Sequence, residues 1–360
     1  MSNPSRRTPK RERSIMNATD PTWQPPEEWT EIETVDAHTG GEPLRVITNG
    51  LPPLEGTTVR AKRRYMEQEL DEYRRALMWE PRGHADMYGA VVTEPNDDDA
   101  DFGVLFLHNE GYSTMCGHGI IALAKIAADT NLLGITPNHD EIVIDTPAGR
   151  VTAVVYRHKG VVESVEFTNV PSFVYARDQT VHVPPWGTIR FDIAFGGAFY
   201  AFCDAEQFDV KLNADHFGEI VEIGQTIKEA IAKEVKVEHP ESDDLGFLYG
   251  TILTGDPEDE NADSRNVCVF ANGEVDRCPT GTGVSARIAL QSSAGSLSPD
   301  ETFEVESIVG SKFVGSYTEA TDYEGYSAIY PRVRGYAHIT GQHEFFIDPA
   351  DPFGKGFFLR

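Results

Sequence analysis

Two short stretches hold the residues best suited to chemistry. "TMCGHGIIALAKI" sets Cys116 directly before Gly-His-Gly at the start of an apolar helical pattern; "DRCPTGTGVSAR" repeats that shape 164 positions later (280 − 116) with Thr280 in the matching place and Cys278 two residues earlier. At a helix N-terminus the first backbone N–H groups have no intrahelical partner, and the macrodipole adds roughly half a positive charge. Such a mouth attracts an anion, either a small carboxylate or a phosphate. A cysteine placed there is expected to have its pKa lowered from ~8.5 toward neutrality, which makes Cys116 a candidate base. A thiolate beside a bound carboxylate can take the proton from the carbon alpha to it, and the amides after Cys116 and after Thr280 would hold the developing enediolate. Acids on both faces of a planar carbanion give racemisation or epimerisation; a single one gives another outcome.

The elements that position these loops are strands and isolated helices. Runs of β-branched and aromatic residues broken by Gly, Asn and Pro, such as "EIVIDTPAGRVTAVVYRHKGVVESVEFTNV" and "TIRFDIAFGGAFYAFCDA", read as strands. Helical periodicity marks "VRAKRRYMEQELDEYRRALMW", "GHGIIALAKIAADTNLLG", "ADHFGEIVEIGQTIKEAIAKEV" and "GTGVSARIALQSSAGS". Strands mixed with helices, without strict alternation, point to an α+β fold rather than a doubly wound parallel sheet. Each half holds one glycine-rich loop leading into an apolar helix, so a pseudo-repeat is expected, with a boundary near 185 in the proline cluster of "HVPPWGT".

With ~100–200 residues per domain, 360 residues predict two domains. Residues 1–30 are polar, basic at the start and proline-bearing, without the apolar core of a secretory signal; they read as a disordered lead, with Met16 an alternative start. No window approaches the ~18 consecutive apolar residues of a membrane span. A net charge of −27, from 58 acidic and 31 basic residues, argues against nucleic acid or an anionic membrane as partner. Arginine exceeds lysine about two to one, which leaves open both a salt-adapted surface and an ordinary acidic enzyme. Four cysteines without a signal peptide read as reduced thiols, and hence a cytoplasmic protein.

"VDAHTGGEPLRVI", "EPRGHADMYGA", "MCGHG", "SVEFTNVPSFV" and "DRCPTGTGVSAR" together resemble the proline racemase family, from about Thr34 to Gly356. The resemblance implies two pseudo-symmetric diaminopimelate-epimerase-like domains, each a curved, mainly antiparallel sheet around a central helix: 31–185 carrying Cys116, 186–345 carrying Thr280, and 346–360 returning to the first domain. It implies a small imino-acid substrate and no cofactor, and leaves a homodimer open. The family's substrate-binding positions fall on Gly117, His118, Asp276, Gly281 and Thr282, with an aromatic lining at Tyr88, Phe106 and Phe270; Asp276 would accept the ring ammonium. Racemases and hydroxyproline epimerases of the family carry a second cysteine directly before Gly-Thr-Gly. Here that position is Thr280, and the Cys/Thr pairing resembles the branch that dehydrates trans-3-hydroxy-L-proline. A threonine hydroxyl is too weak an acid to reprotonate a carbanion near neutral pH, so the resemblance implies a hydro-lyase acting through Cys116 and Thr280, with racemisation or 4-hydroxyproline epimerisation as the alternative.

Other readings are weaker. Cys278, two residues back and across Pro279, should point away from the site rather than serve as a second acid. "GTGVSA" fits Gly-X-Gly-X-X-Ala with Asp300 about twenty residues on, but a turn and a proline stand where a dinucleotide site needs a strand. His38, His84, His108 and His118 show no zinc spacing. A cysteine hydrolase leaves the second glycine loop without a role, and a non-enzymatic amino-acid binder leaves the thiol without one. "HTGGEP" and "FGGAF" are expected to make tight turns that support the site.

Overall fold

The alternating runs of Val, Ile, Phe and Tyr become strands of a single hydrogen-bonded sheet in the computed structural model, which describes residues 23–135 and 139–360. Most of the expected lead, 1–22, lies outside the described residues; at its end Trp23 packs edge-on against Phe346. The first half contains β1 (Thr30–Thr39), β2 (Glu42–Asn49), α1 (Val59–Glu69), α2 (Asp71–Met78), β3 (Gly89–Thr93), β4 (Phe102–Leu107), β5 (Tyr112–Ser113), α3 (Gly117–Asp129), β6 (Glu141–Thr146), β7 (Gly149–His158) and β8 (Val161–Thr168). The second contains β9 (Ser172–Val183), β10 (Gly187–Phe195), β11 (Phe199–Asp204), α4 (Phe217–Glu234), β12 (Leu248–Gly255), β13 (Ser264–Phe270), β14 (Glu274–Val275), α5 (Gly281–Ser293), β15 (Phe303–Glu306), β16 (Lys312–Tyr323), β17 (Tyr326–Gly335) and β18 (Ala337–Ile347).

Strand pairing makes the repeat visible. In the first half β1–β2 is antiparallel, β2–β3 parallel, β3–β4 and β4–β5 antiparallel, β4–β6 parallel, and β6–β7 and β7–β8 antiparallel. The second half runs through the same series: β10–β11 antiparallel, β11–β12 parallel, β12–β13 and β13–β14 antiparallel, β13–β15 parallel, and β15–β16 and β16–β17 antiparallel. This is a pseudo-symmetric α+β fold.

Against a boundary at 185, two strands pair across it. β9 follows β8 in the chain but pairs with β10, and β18 follows β17 but pairs with β1. Position 185 therefore lies in the tip of the β9–β10 hairpin, where Val183 faces Gly187, and not between the lobes. The C-terminal return likewise begins at Ala337 rather than at 346. Proline and glycine signalled a turn there, and a hairpin tip and a domain linker share that chemistry.

Each lobe closes around one apolar helix. Every residue of α3 from Gly117 to Ala128 is buried, as a helix without a polar face must be; it packs on β1, β2, β7, β8 and β18, while α5 packs on β9, β10, β16 and β17. α4 is amphipathic and lies outside, with Ile220, Ile223, Ile227 and Ile231 turned toward the sheet. Among the described residues no helix is long and apolar enough to cross a membrane.

Candidate active site

Cys116 is the N-cap of α3, in extended backbone (φ −143°), and its Sγ accepts the Gly119 N–H at 3.3 Å. The His118 ring lies against the same sulfur, with Nδ1 at 3.2 Å. The Thr39 hydroxyl, at the end of β1, donates to the His118 carbonyl at 2.8 Å and ties the helix start to the β1–β2 hairpin. The expectation of a lowered thiol pKa is corrected here. Burial pushes the Cys116 thiol well up, and the single N–H from Gly119 only partly opposes it. Desolvation of a fully enclosed charge outweighs the dipole of one helix turn. Burial likewise pushes His118 down, so its ring stands neutral.

Thr280 is the N-cap of α5 but does not cap it with its side chain. Its hydroxyl donates instead to Asp276 Oδ2 at 2.8 Å, and Oδ1 of the same carboxylate accepts the Cys278 N–H at 2.9 Å. Thr280 sits at φ +67°, a left-handed value that costs a β-branched residue about 1–3 kcal/mol. The two hydrogen bonds to Asp276 hold that conformation. Buried Glu42 accepts the Arg277 N–H at 2.7 Å, and its carboxyl is pushed well up by burial, the nearby Asp276 charge adding to this.

The two helix mouths meet backbone to backbone. A Cβ added at Gly117 would fall 2.6 Å from Gly281 Cα, and one at Gly281 would fall 2.8 Å from Gly117 Cα. Only glycine allows this approach, which brings the free first amides of both helices into one space. Among the described residues the amides of Gly117, His118, Gly281 and Thr282 meet no protein acceptor. Gly117→Ala is expected to prise the lobes apart at a cost of about 1–3 kcal/mol. Thermal unfolding should record a lower midpoint, with turnover lost well below that temperature.

The narrow cleft between the mouths is lined by Tyr88, Met115, Cys116, Gly117, His118, Tyr200, Tyr249, Phe270, Asp276, Thr280, Gly281 and Thr282. Nine of the ten residues singled out from the sequence are therefore together. Phe106 is not among the lining residues; it lies beneath the first turn of α3, in contact with the space a Cβ at Gly119 would take. β4 and β13 correspond across the repeat, but the two phenylalanines sit at different registers on them: Phe106 pairs with Ala90, two residues past Tyr88, and Phe270 with Gly250, one residue past Tyr249. Sequence reading missed Tyr249 and Tyr200. The Tyr88 and Tyr249 hydroxyls are 3.3 Å apart, and Tyr249 stacks on Phe270. "MYGA" at 87–90 and "LYGT" at 248–251 match across the repeat, a signal that pointed to Tyr249. Tyr200, whose hydroxyl is 2.7 Å from Thr282 Oγ1, has no such mark.

Cys278 is buried behind the loop, with its sulfur accepting the Thr280 N–H at 3.4 Å, and it does not line the cleft. It is nonetheless close to the site, since its Sγ, a carboxylate oxygen of Asp276 and a ring nitrogen of His118 all lie within 4.8 Å of one another. Sequence spacing gave no metal cluster, and the fold assembles these three groups from both lobes. The "FGGAF" stretch supports the mouths from one side, where the Thr114 hydroxyl donates to the Gly197 carbonyl at 2.6 Å and Asn169 donates to both the Gly196 carbonyl and Ser285 Oγ.

Two pseudo-symmetric lobes that meet mouth to mouth around a thiol define a two-lobed epimerase-like scaffold. The chain belongs to the proline racemase family, whose model, described as "Proline racemase", matches residues 34–358. It is 46% identical to the trans-3-hydroxy-L-proline dehydratase of Colwellia psychrerythraea, over 94% of this chain and 96% of that one. It is 43% identical to the 3-hydroxyproline 2-epimerase of Burkholderia multivorans, over 91% of this chain and 98% of the relative. A crystal structure of a hydroxyproline epimerase from Agrobacterium vitis, with bound trans-4-hydroxy-L-proline, superposes with a TM-score of 0.86 at 30% identity, covering 92% of this chain and 96% of that one.

Proposed function

We propose that this protein dehydrates trans-3-hydroxy-L-proline to pyrroline-2-carboxylate without a cofactor, with Cys116 as its acid–base group. The observation that carries the reading is the Thr280 hydroxyl, whose hydrogen is held by Asp276 at 2.8 Å. A hydroxyl so engaged has no proton to give a carbanion, so one face of the cleft carries a thiol and the other only a polar wall. The similarity to relatives named trans-3-hydroxy-L-proline dehydratase supports the same choice.

In this reading the amides at the two mouths take the substrate carboxylate, and Asp276 takes the ring ammonium. Tyr88, Tyr249 and Phe270 flank the ring. The arriving ammonium offsets the negative surroundings that disfavour a thiolate, so Cys116 ionises as substrate binds. In trans-3-hydroxy-L-proline the alpha hydrogen and the hydroxyl share a ring face. The thiolate takes that hydrogen, the C–O bond breaks, and the thiol proton passes to the leaving hydroxyl, directly or by way of His118, which touches the sulfur. Water and a 2,3-enamine result, and the enamine tautomerises to the cyclic imine. The four cysteines are free and buried, which supports a reducing, cytoplasmic setting.

Because burial raises the Cys116 thiol, the base of the free enzyme forms only at high pH. The acid limb of kcat/KM should therefore still be climbing past about pH 8.5, the ordinary thiol value. A limb that levelled off near neutrality would mean a different base. The defining experiment is proton NMR in deuterated buffer with trans-3-hydroxy-L-proline beside L-proline and trans-4-hydroxy-L-proline. Consumption of the 3-hydroxy compound alone, giving pyrroline-2-carboxylate, supports the lyase. Stereoisomers of the substrates labelled at the alpha carbon would mean an epimerase instead.

A further inference from the structure

We propose that His118, Asp276 and Cys278 form a binding site for a zinc-like divalent cation, occupied in place of substrate. The three groups come from the mouths of both lobes, and their ligand atoms lie within 4.8 Å of one another. Around a tetrahedral zinc, with bonds of ~2.0–2.3 Å to N, O and S, ligand atoms stand roughly 3.3–3.8 Å apart, so side-chain rotations of about 1 Å close the set.

The donor types suit this class of ion. Cysteine sulfur with imidazole nitrogen and one carboxylate oxygen favours zinc over magnesium or calcium, which take oxygen sets. The His118 ring touches the Cys116 sulfur and bonds to the Pro43 backbone, so ligation displaces one of these contacts. Cys278 Sγ accepts the long N–H contact from Thr280 at 3.4 Å, and its thiol hydrogen bonds to the Asp276 carboxylate, a bond that metal binding would replace. Asp276 accepts one backbone or hydroxyl hydrogen bond on each oxygen and keeps lone-pair capacity for a cation once the Cys278 thiol is deprotonated. Buried Glu42 accepts the Arg277 N–H at 2.7 Å beside this loop, and the Asp276 carboxylate is the group that receives positive charge, whether an ammonium or a metal.

Two of the ligands line the substrate cleft and the third lies behind it. A cation held there occupies the carboxylate assigned to the substrate ammonium and takes the imidazole that touches Cys116 at 3.2 Å. Binding would release the Cys278 thiol proton and exclude substrate, so the ion acts as a competitive inhibitor.

The test is zinc binding to the full chain without substrate, measured by competition with a chromophoric chelator, which keeps it independent of the reaction assigned above. Expected is one zinc per chain. Cys278→Ser, whose hydroxyl still accepts the Thr280 N–H, should weaken binding by more than the roughly 10–100-fold that loss of an outer-shell partner costs. Cys116→Ser should leave binding within a few-fold of the parent. Cobalt in place of zinc should show thiolate-to-metal charge transfer in the parent and in Cys116→Ser, and none in Cys278→Ser. Asp276→Asn, read by the same chelator competition, covers the case in which Cys278→Ser does not fold. The proposal is overturned if no zinc binds, or if Cys116→Ser loses the metal while Cys278→Ser keeps it, since the catalytic thiol alone would then be the trap.

Discussion

Cys116→Ser lowers turnover of trans-3-hydroxy-L-proline by about 10²–10⁴-fold, the range spanned by loss of a positioned acid–base group, while substrate affinity stays within a few-fold. The separation follows from the geometry. The amides that would hold the carboxylate belong to the backbone of Gly117, His118, Gly281 and Thr282, and Asp276 is anchored by its own loop. None of these depends on the sulfur. A serine hydroxyl can accept the Gly119 N–H in place of Sγ, so the mouth of α3 keeps its cap. Calorimetry for binding and NMR for turnover measure the two effects separately. If turnover survived the substitution, the base would have to be another group. A loss of binding equal to the loss of turnover would instead fit a thiol that shapes the pocket without taking the proton.

Thr280→Cys is expected to open the second face. With a thiol at each mouth, the carbanion can be reprotonated from the side opposite to Cys116. Alpha-proton exchange of L-proline or trans-4-hydroxy-L-proline in deuterated buffer should rise by at least about 10²-fold, with the other epimer accumulating. The hydroxyl bond to Asp276 is lost in this variant, and the left-handed backbone at 280 must be held by the remaining Cys278 contact to the same carboxylate. Dehydration should fall for that reason. Thr280→Ser keeps both the hydroxyl and its bond, so it should dehydrate and not epimerise. If Thr280→Cys gained no exchange although folded, position 280 would not face the alpha carbon. If Thr280→Ser already epimerised, the hydroxyl itself would be an acid and the distinction drawn here would fail.

The candidate site residues that meet in the cleft were legible because their signals are local. A cysteine or threonine before Gly-X-Gly and an apolar run marks a helix mouth whatever surrounds it, and Cys116 and Thr280 each cap a central helix. Tyr249 was also within reach, through the "MYGA" and "LYGT" match, because a repeat writes its equivalent positions twice. Phe106 shows the limit of that logic. It lies on the strand that corresponds to that of Phe270 but at a different register, and a match of strands does not decide which side chain a cleft exposes.

By itself the sequence determined the helix mouths, the single thiol before Gly-His-Gly, the strand-rich α+β class and the twofold repeat, all set by backbone propensity and by periodicity over a dozen residues. Only the tertiary structure decided the exchange of β9 and β18, the backbone contact between Gly117 and Gly281, the high thiol pKa of Cys116 and the meeting of His118 with Cys278. The first, second and fourth are contacts between residues far apart in the chain, for which local pattern carries no distance. The third is a contest between a helix dipole, readable from a few residues, and desolvation by both lobes, which exists only once they close.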